Sequence, residues 1–126
     1  MHRIVSPYRA AADLPELWSP RVIAVVNDAY VKVAKVQGML GWHAHAEQDE
    51  LFLILSGQLR IELEDGVVDL AAGELFVVPR GVRHNPIAEH ECHVLLVEHK
   101  STEHTGDLIT DKTRSLDEQL RPLLAD

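Results

Sequence analysis

Cysteine is nearly missing from this chain. Cys92 is the only one in 126 residues, so no disulfide can close within the chain and a disulfide-stapled secreted scaffold is excluded. Long apolar runs are missing as well. Unbroken apolar stretches such as Leu51 to Leu55 reach five residues, far short of the roughly 20 that a membrane-spanning helix needs. Positive charge is in short supply. Twelve Lys and Arg stand against twenty Asp and Glu, a formal net charge of −8, and no basic run occurs. A duplex nucleic acid or an anionic membrane face repels such a surface, so neither is expected as a partner. The N-terminus lacks the apolar core of a signal peptide, which predicts a cytoplasmic setting. What is present is 46% apolar residues, enough to exclude a disordered chain. The length predicts one domain over 1–126, with an irregular segment at 1–20, a barrel at 21–98 and a polar tail at 99–126.

Strand signals dominate the middle of the chain. Val22 to Val26 and Tyr30 to Val36 are rich in β-branched residues. Leu51 to Leu55 is apolar throughout, which predicts a strand covered on both faces. Leu59 to Leu63 alternates, so one face should be buried and one wet. Asp65-Gly66 signals a hairpin into Val67 to Leu70. Leu75 to Val78 is a strand stopped by Pro79, and His93 to Val97 is the last clear one. Seven or eight strands at regular spacing predict an all-β sandwich or barrel. Ser115 and Glu118 form a capping-box pair, which predicts a short helix from about Leu116 to Leu120.

Eight histidines are many for this length, and their spacing is informative. In His43-Ala44-His45, two rings two residues apart on an extended strand point the same way and can reach one ion. Ala46 to Asp49 can form a turn, after which a strand starting at Glu50 brings its carboxylate beside them. His84 follows the Pro79-Arg80-Gly81 bend, and a strand folded back there can present a fourth ligand.

With those residues in place, the sequence resembles the cupin superfamily. The first cupin motif has the form Gly-x5-His-x-His-x4-Glu-x6-Gly, and His43, His45, Glu50 and Gly57 fall on it. The second has the form Gly-x5-Pro-x-Gly-x2-His-x3-Asn, and Gly73, Pro79, Gly81 and His84 fall on it. The first glycine position is occupied by Gln37, with Gly38 one residue late, and the last position is Ala88 in place of asparagine. The late glycine is expected to adjust a turn, and the alanine to remove a hydrogen-bonding group near the rim. The resemblance implies an all-β double-stranded β-helix (jelly-roll) barrel with a short C-terminal helix. It also implies a metal held by His43, His45, Glu50 and His84, and pairing as a homodimer. The length and polar tail are similar to small conserved-barrel proteins labelled mannose-6-phosphate-isomerase-like, a label of fold and not of activity.

Three imidazoles and one carboxylate suit Mn, Fe, Co, Ni, Zn or Cu and not a dedicated Ca or Mg cage. An octahedral ion with four protein ligands keeps about two positions open, which permits Lewis-acid chemistry, activation of water or activation of O2. Two functions stay open at this point. One is an enzyme acting on a small oxygen-bearing molecule, with dioxygenase-, isomerase- or decarboxylase-like chemistry. The other is a non-catalytic binding or sensing barrel whose metal is structural or tethers a ligand. An enzyme predicts an acid or base group converging on the site from beyond the ligands. Phe52 and Ile54, in register with Glu50, are expected to form an apolar wall. Among His90, His93, His99 and His104, only His93 is a candidate to line the cavity, by strand parity. Cys92 is expected as a small buried hydrophobe, and Trp42 should face away from the ligands as a core or interface anchor. Arg80 and Arg83 are expected in a solvated loop, from which one could anchor an anion.

Overall fold

The structure is a computed structural model that describes residues 3–123. It contains β1 (Arg21–Val26), β2 (Ala29–Met39), β3 (Glu50–Ser56), β4 (Gln58–Leu63), β5 (Gly66–Ala71), β6 (Leu75–Val78) and β7 (His84–His99). Two short helices flank them, α1 (Pro7–Ala12) and α2 (Leu116–Gln119). Every strand pairing is antiparallel, and β7 is the hub. Its first residues, His84 to Ile87, pair with β4, and His93 to Glu98 pair with β3. Strand β2 runs beside both parts, with Val36 opposite Cys92 and then Gly38 opposite Ala88. That slip is a bulge, which lets β7 bend from one face of the barrel to the other. The sheet thereby closes into the double-stranded β-helix that the sequence implied.

Period-two alternation explains the two apolar layers. Phe52, Ile54, Leu59, Ile61, Val94 and Leu96 fill the barrel interior. Leu53, Leu55, Val33 and Leu95 point outward and meet Ala10, Ala11 and Leu14 around α1. The unbroken run Leu51 to Leu55 is therefore apolar because both of its faces are covered. Each such side chain contributes about 1.5–3 kcal/mol by leaving water.

Four expectations need correction. The 1–20 segment is not wholly irregular. Ser6 caps α1, its Oγ accepting from Arg9 N at 3.3 Å, Pro7 occupies the first turn, and three alanines follow. The hairpin turn is Glu64-Asp65, since Gly66 already pairs with Leu63, so the Asp-Gly signal sits one residue late. The last strand begins at His84 and not at His93. The polar residues Glu89 to Glu91, which hid its first half, lie at the exposed bulge. Ala88 is not at the rim but is buried in the core opposite Gly38.

The helix at the C-terminal end forms as expected, with both halves of the Ser115–Glu118 capping box present. The tail before it returns to the barrel. Ala44 N donates to Asp107 Oδ1 at 2.9 Å, and Asp107 N to Ala44 O at 3.2 Å. Among the described residues, no helix is long and apolar enough to cross a membrane.

Gly57 sits at φ +84°, and a Cβ there would lie 2.9 Å from Glu91 O and 3.2 Å from Cys92 Cα, both backbone atoms of the bulge. Gly57→Ala is expected to cost at least ~1–2 kcal/mol from the left-handed backbone. The measurement is thermal unfolding, with Tm falling by about 5 °C or more; an unchanged Tm refutes the close approach.

Candidate metal centre

The site is built from three segments that backbone pairing brings together. His43 and His84 form an isolated antiparallel bridge, His43 N donating to His84 O at 3.0 Å and His84 N to His43 O at 2.9 Å. Gly81 N donates to His45 O at 2.8 Å, so the Pro79-Arg80-Gly81 bend is held against the first histidine pair. Glu50 opens β3 beside them. One ligand atom from each of His43, His45, Glu50 and His84 lies within 4.8 Å of the others, and all four residues are buried.

Two rings are oriented by their own loops. His43 Nδ1 lies 2.9 Å from Gly41 O, and His84 Nδ1 lies 2.9 Å from Val82 O. A carbonyl only accepts, so Nδ1 carries the proton and Nε2 presents its lone pair. His45 Nε2 and His84 Nε2 each lie 3.4 Å from Glu50 Oε1, and all three atoms are buried without a hydrogen-bond partner. Buried polar atoms left unpaired are costly. These four groups could hold a metal ion, and an ion at their centre would pair them.

The charges around Glu50 are arranged in a line. Glu98 is its partner across β3 and β7. Lys32 Nζ lies 2.6 Å from Glu98 Oε1 and donates to Gln119 Oε1 at 2.5 Å, all of it buried. Burial pushes the Glu50 carboxyl up, but the adjacent His45 and His84 rings and Glu98 outweigh it and hold Glu50 well below the usual carboxylate range. Burial, and then the neighbouring Glu50, push Glu98 well above that range against the pull of Lys32. Burial, and then His84, lower His43 to about 4. Burial, and then Lys32, lower His104 to about 4.

A cavity of about 40 Å³ adjoins the cluster. Trp18, Leu40, Phe52 and Leu96 give it apolar walls, and His43, Glu50, Glu98 and His104 give it polar ones. Phe52 is part of the wall as expected and meets the His84 ring edge-on, at 6.3 Å between centroids. Ile54 is buried in the core beyond it.

His93 does not line this cavity; it is half-buried and meets Glu91 Oε2 at 2.9 Å. His90 and His99 are exposed. Arg80 and Arg83 face Asp49 and Asp107, each at 3.7 Å. Trp42 is 37% exposed and so not a core anchor. Cys92 is fully buried, and burial pushes its thiol up to about 11.

Sequence reasoning missed Lys32, Glu98, Asn85 and His104. Parity could have found the first two. Lys32 shares a face with Ala34 and Val36, and Glu98 with Val94 and Leu96, all buried. Asn85 ties the site loop down, accepting from Gly41 N and donating to Glu62 Oε1, both at 2.9 Å. His104 carries no such signal, because it lies in the irregular tail.

Comparison with known proteins agrees with this geometry. The Cupin_2 family, described as "Cupin domain", matches residues 29–98. A cupin-2 domain containing protein from Shewanella frigidimarina NCIMB 400 is 43% identical, over 70% of this chain and 86% of that one, with a TM-score of 0.68. Protein NMB1881 from Neisseria meningitidis is 28% identical, over 77% of this chain and 99% of that one, with a TM-score of 0.70. The Bacillus subtilis (strain 168) protein YdbB, described as uncharacterized, is 37% identical over 82 residues, 64% of this chain and 73% of its own length. The narrower likeness to mannose-6-phosphate-isomerase-like barrels is not carried by these matches.

Removing Glu98 takes the carboxyl partner from the buried Lys32 Nζ. Glu98→Leu is expected to cost about 3–5 kcal/mol. The double variant Lys32→Met/Glu98→Leu should be more stable than that single variant, because no lone charge remains. Urea unfolding of the metal-free protein checks this; additive losses would show that the two groups do not interact.

Proposed function

This chain belongs to the cupin domain family, and from that premise we propose that it is a metal-dependent enzyme acting on a small oxygen-bearing molecule. A divalent transition ion would be held by the imidazoles of His43, His45 and His84 and the carboxylate of Glu50. The observation that carries this reading is the set of buried, unpaired atoms on His45, Glu50 and His84 facing one another across a common centre. The ligand set selects Mn, Fe, Co, Ni, Zn or Cu. Such an ion supplies Lewis-acid polarisation of a substrate oxygen and, where it is redox-active, activation of O2.

The protein's own residues supply the rest. Gly41 and Val82 carbonyls fix the His43 and His84 rings, so the ligand atoms are in place before anything binds. Trp18, Leu40, Phe52 and Leu96 limit water around the site. Glu98 and His104 line the same cavity without belonging to the four-residue cluster. Polar groups converging from beyond the ligands favour catalysis over a purely binding or sensing role.

The same reading takes residues 1–126 as one cupin domain that works in the cytoplasm as a homodimer. Val25 and Val26, exposed at 62% and 56% on the edge strand β1, are apolar surface that such pairing would cover. Sedimentation is expected to give twice the chain mass, and a monomer at micromolar concentration removes that part of the reading.

Elemental analysis of the purified protein should find about one transition ion per chain, and a His43→Ala/Glu50→Ala variant should have lost it. Resupplying the metal at ~100 times its Kd should add about 2.7 kcal/mol of stability to the wild type and none to the variant. Equal metal content in the two proteins would overturn the site.

A further inference from the structure

His104 belongs to the tail yet reaches the cavity beside the four-residue cluster. Its ring is held in one tautomer. Arg114 N lies 2.9 Å from His104 Nδ1, and a backbone amide can only donate. Nδ1 therefore accepts, and the neutral ring carries its proton on Nε2. Among the described residues, no group accepts from that Nε2–H. His104 is partly buried at the cavity wall, so this donor is open to a ligand.

Among the other polar groups of the wall, Glu98 Oε2 is also buried and unpaired, beside Glu50. Lys32 is engaged by Glu98 and Gln119. His43 and Glu50 face the common centre. Trp18, Leu40, Phe52 and Leu96 offer no acceptor to a ligand's far end. A cavity of about 40 Å³ has room for roughly three waters. The occupant is therefore a few atoms long, with one polar end at the cluster and an acceptor at the other.

We propose that His104 is the donor that binds and orients this second polar atom, an oxygen or other lone-pair end of a small anionic or oxygen-bearing ligand. His104 thereby selects ligands that present an acceptor away from the metal centre. The segment that delivers it is clamped to the loop that carries His43 and His45. Gly106 packs against Ala44 O, where no Cβ could fit, and Asp107 exchanges two hydrogen bonds with Ala44. The donor is thus held by the segment that positions His43 and His45. This inference rests on the metal-centre reading above.

The test uses azide, a linear three-atom anion with an acceptor at its far end, titrated into the full-length cobalt-loaded protein and followed by visible absorption. His104→Phe is expected to keep the wild-type cobalt stoichiometry and to weaken azide by about 10-fold or more, the range for a hydrogen bond to a charged partner. His104→Gln, which restores an N–H donor, should recover most of that loss. Nitrogen-15 NMR of the metal-free wild type should show the His104 proton on Nε2. Equal azide affinity in His104→Phe, no azide binding to the loaded wild type, or a proton on Nδ1 would each overturn the role of His104 alone. Failure of the wild type to take up cobalt would overturn the metal centre itself, and this inference with it.

Discussion

Unpaired polarity inside a closed barrel is the constraint on which this structure turns. His45, Glu50 and His84 bury atoms that find no hydrogen-bond partner in the protein, and they do so within a few ångströms of one another. Outside this group, Glu98 Oε2 and Arg21 Nε are also unpaired, while other buried polar side chains are engaged. Lys32, buried as deeply as any core leucine, meets both Glu98 and Gln119. Asn85 has partners for its oxygen and its nitrogen. Where unpaired atoms gather at one centre, they are atoms with metal-ligand chemistry. A misfit of this kind marks a place shaped for something else to occupy.

The barrel supplies the rigidity that the cluster needs. β7 pairs with three strands, and its first residue is the fourth member of the cluster. β3 begins on Glu50 and places it against Glu98. The His43–His84 bridge joins two loops that would otherwise be separate. Backbone bonds therefore set the positions of the rings, and the Gly41 and Val82 carbonyls set their rotation. α1 and its apolar contacts brace the outer face of the same strands.

Much of this was legible because it depends on local rules. Spacing in His43-Ala44-His45, the turn before Glu50 and the bend before His84 brought the cluster out of the sequence. Alternation gave the strands, and the Ser115–Glu118 pair gave the helix. The misses have physical causes. Gly38 falls one residue late because β2 carries a bulge between Val36 and Gly38, and Gln37 is left to accept from the Trp18 indole through its carbonyl. The start of β7 was hidden because Glu89, His90 and Glu91 are solvated while the backbone on either side stays paired. His104 was illegible because its place depends on contacts far along the chain, to Ala44 through Asp107 and to Arg114. The helix α1 was available in Ser6-Pro7 and the alanines, and the prolines around it masked it.

The tail clamp also bears on the order in which contacts can form. Lys32 meets one of its partners, Gln119, 87 positions later, and the segment carrying His43 and His45 meets Asp107, 63 positions beyond Ala44. Pairings so distant close long loops, and their entropic cost falls late in folding. The barrel strands pair with one another without the tail, so its docking is what completes the part of the cavity wall that His104 supplies.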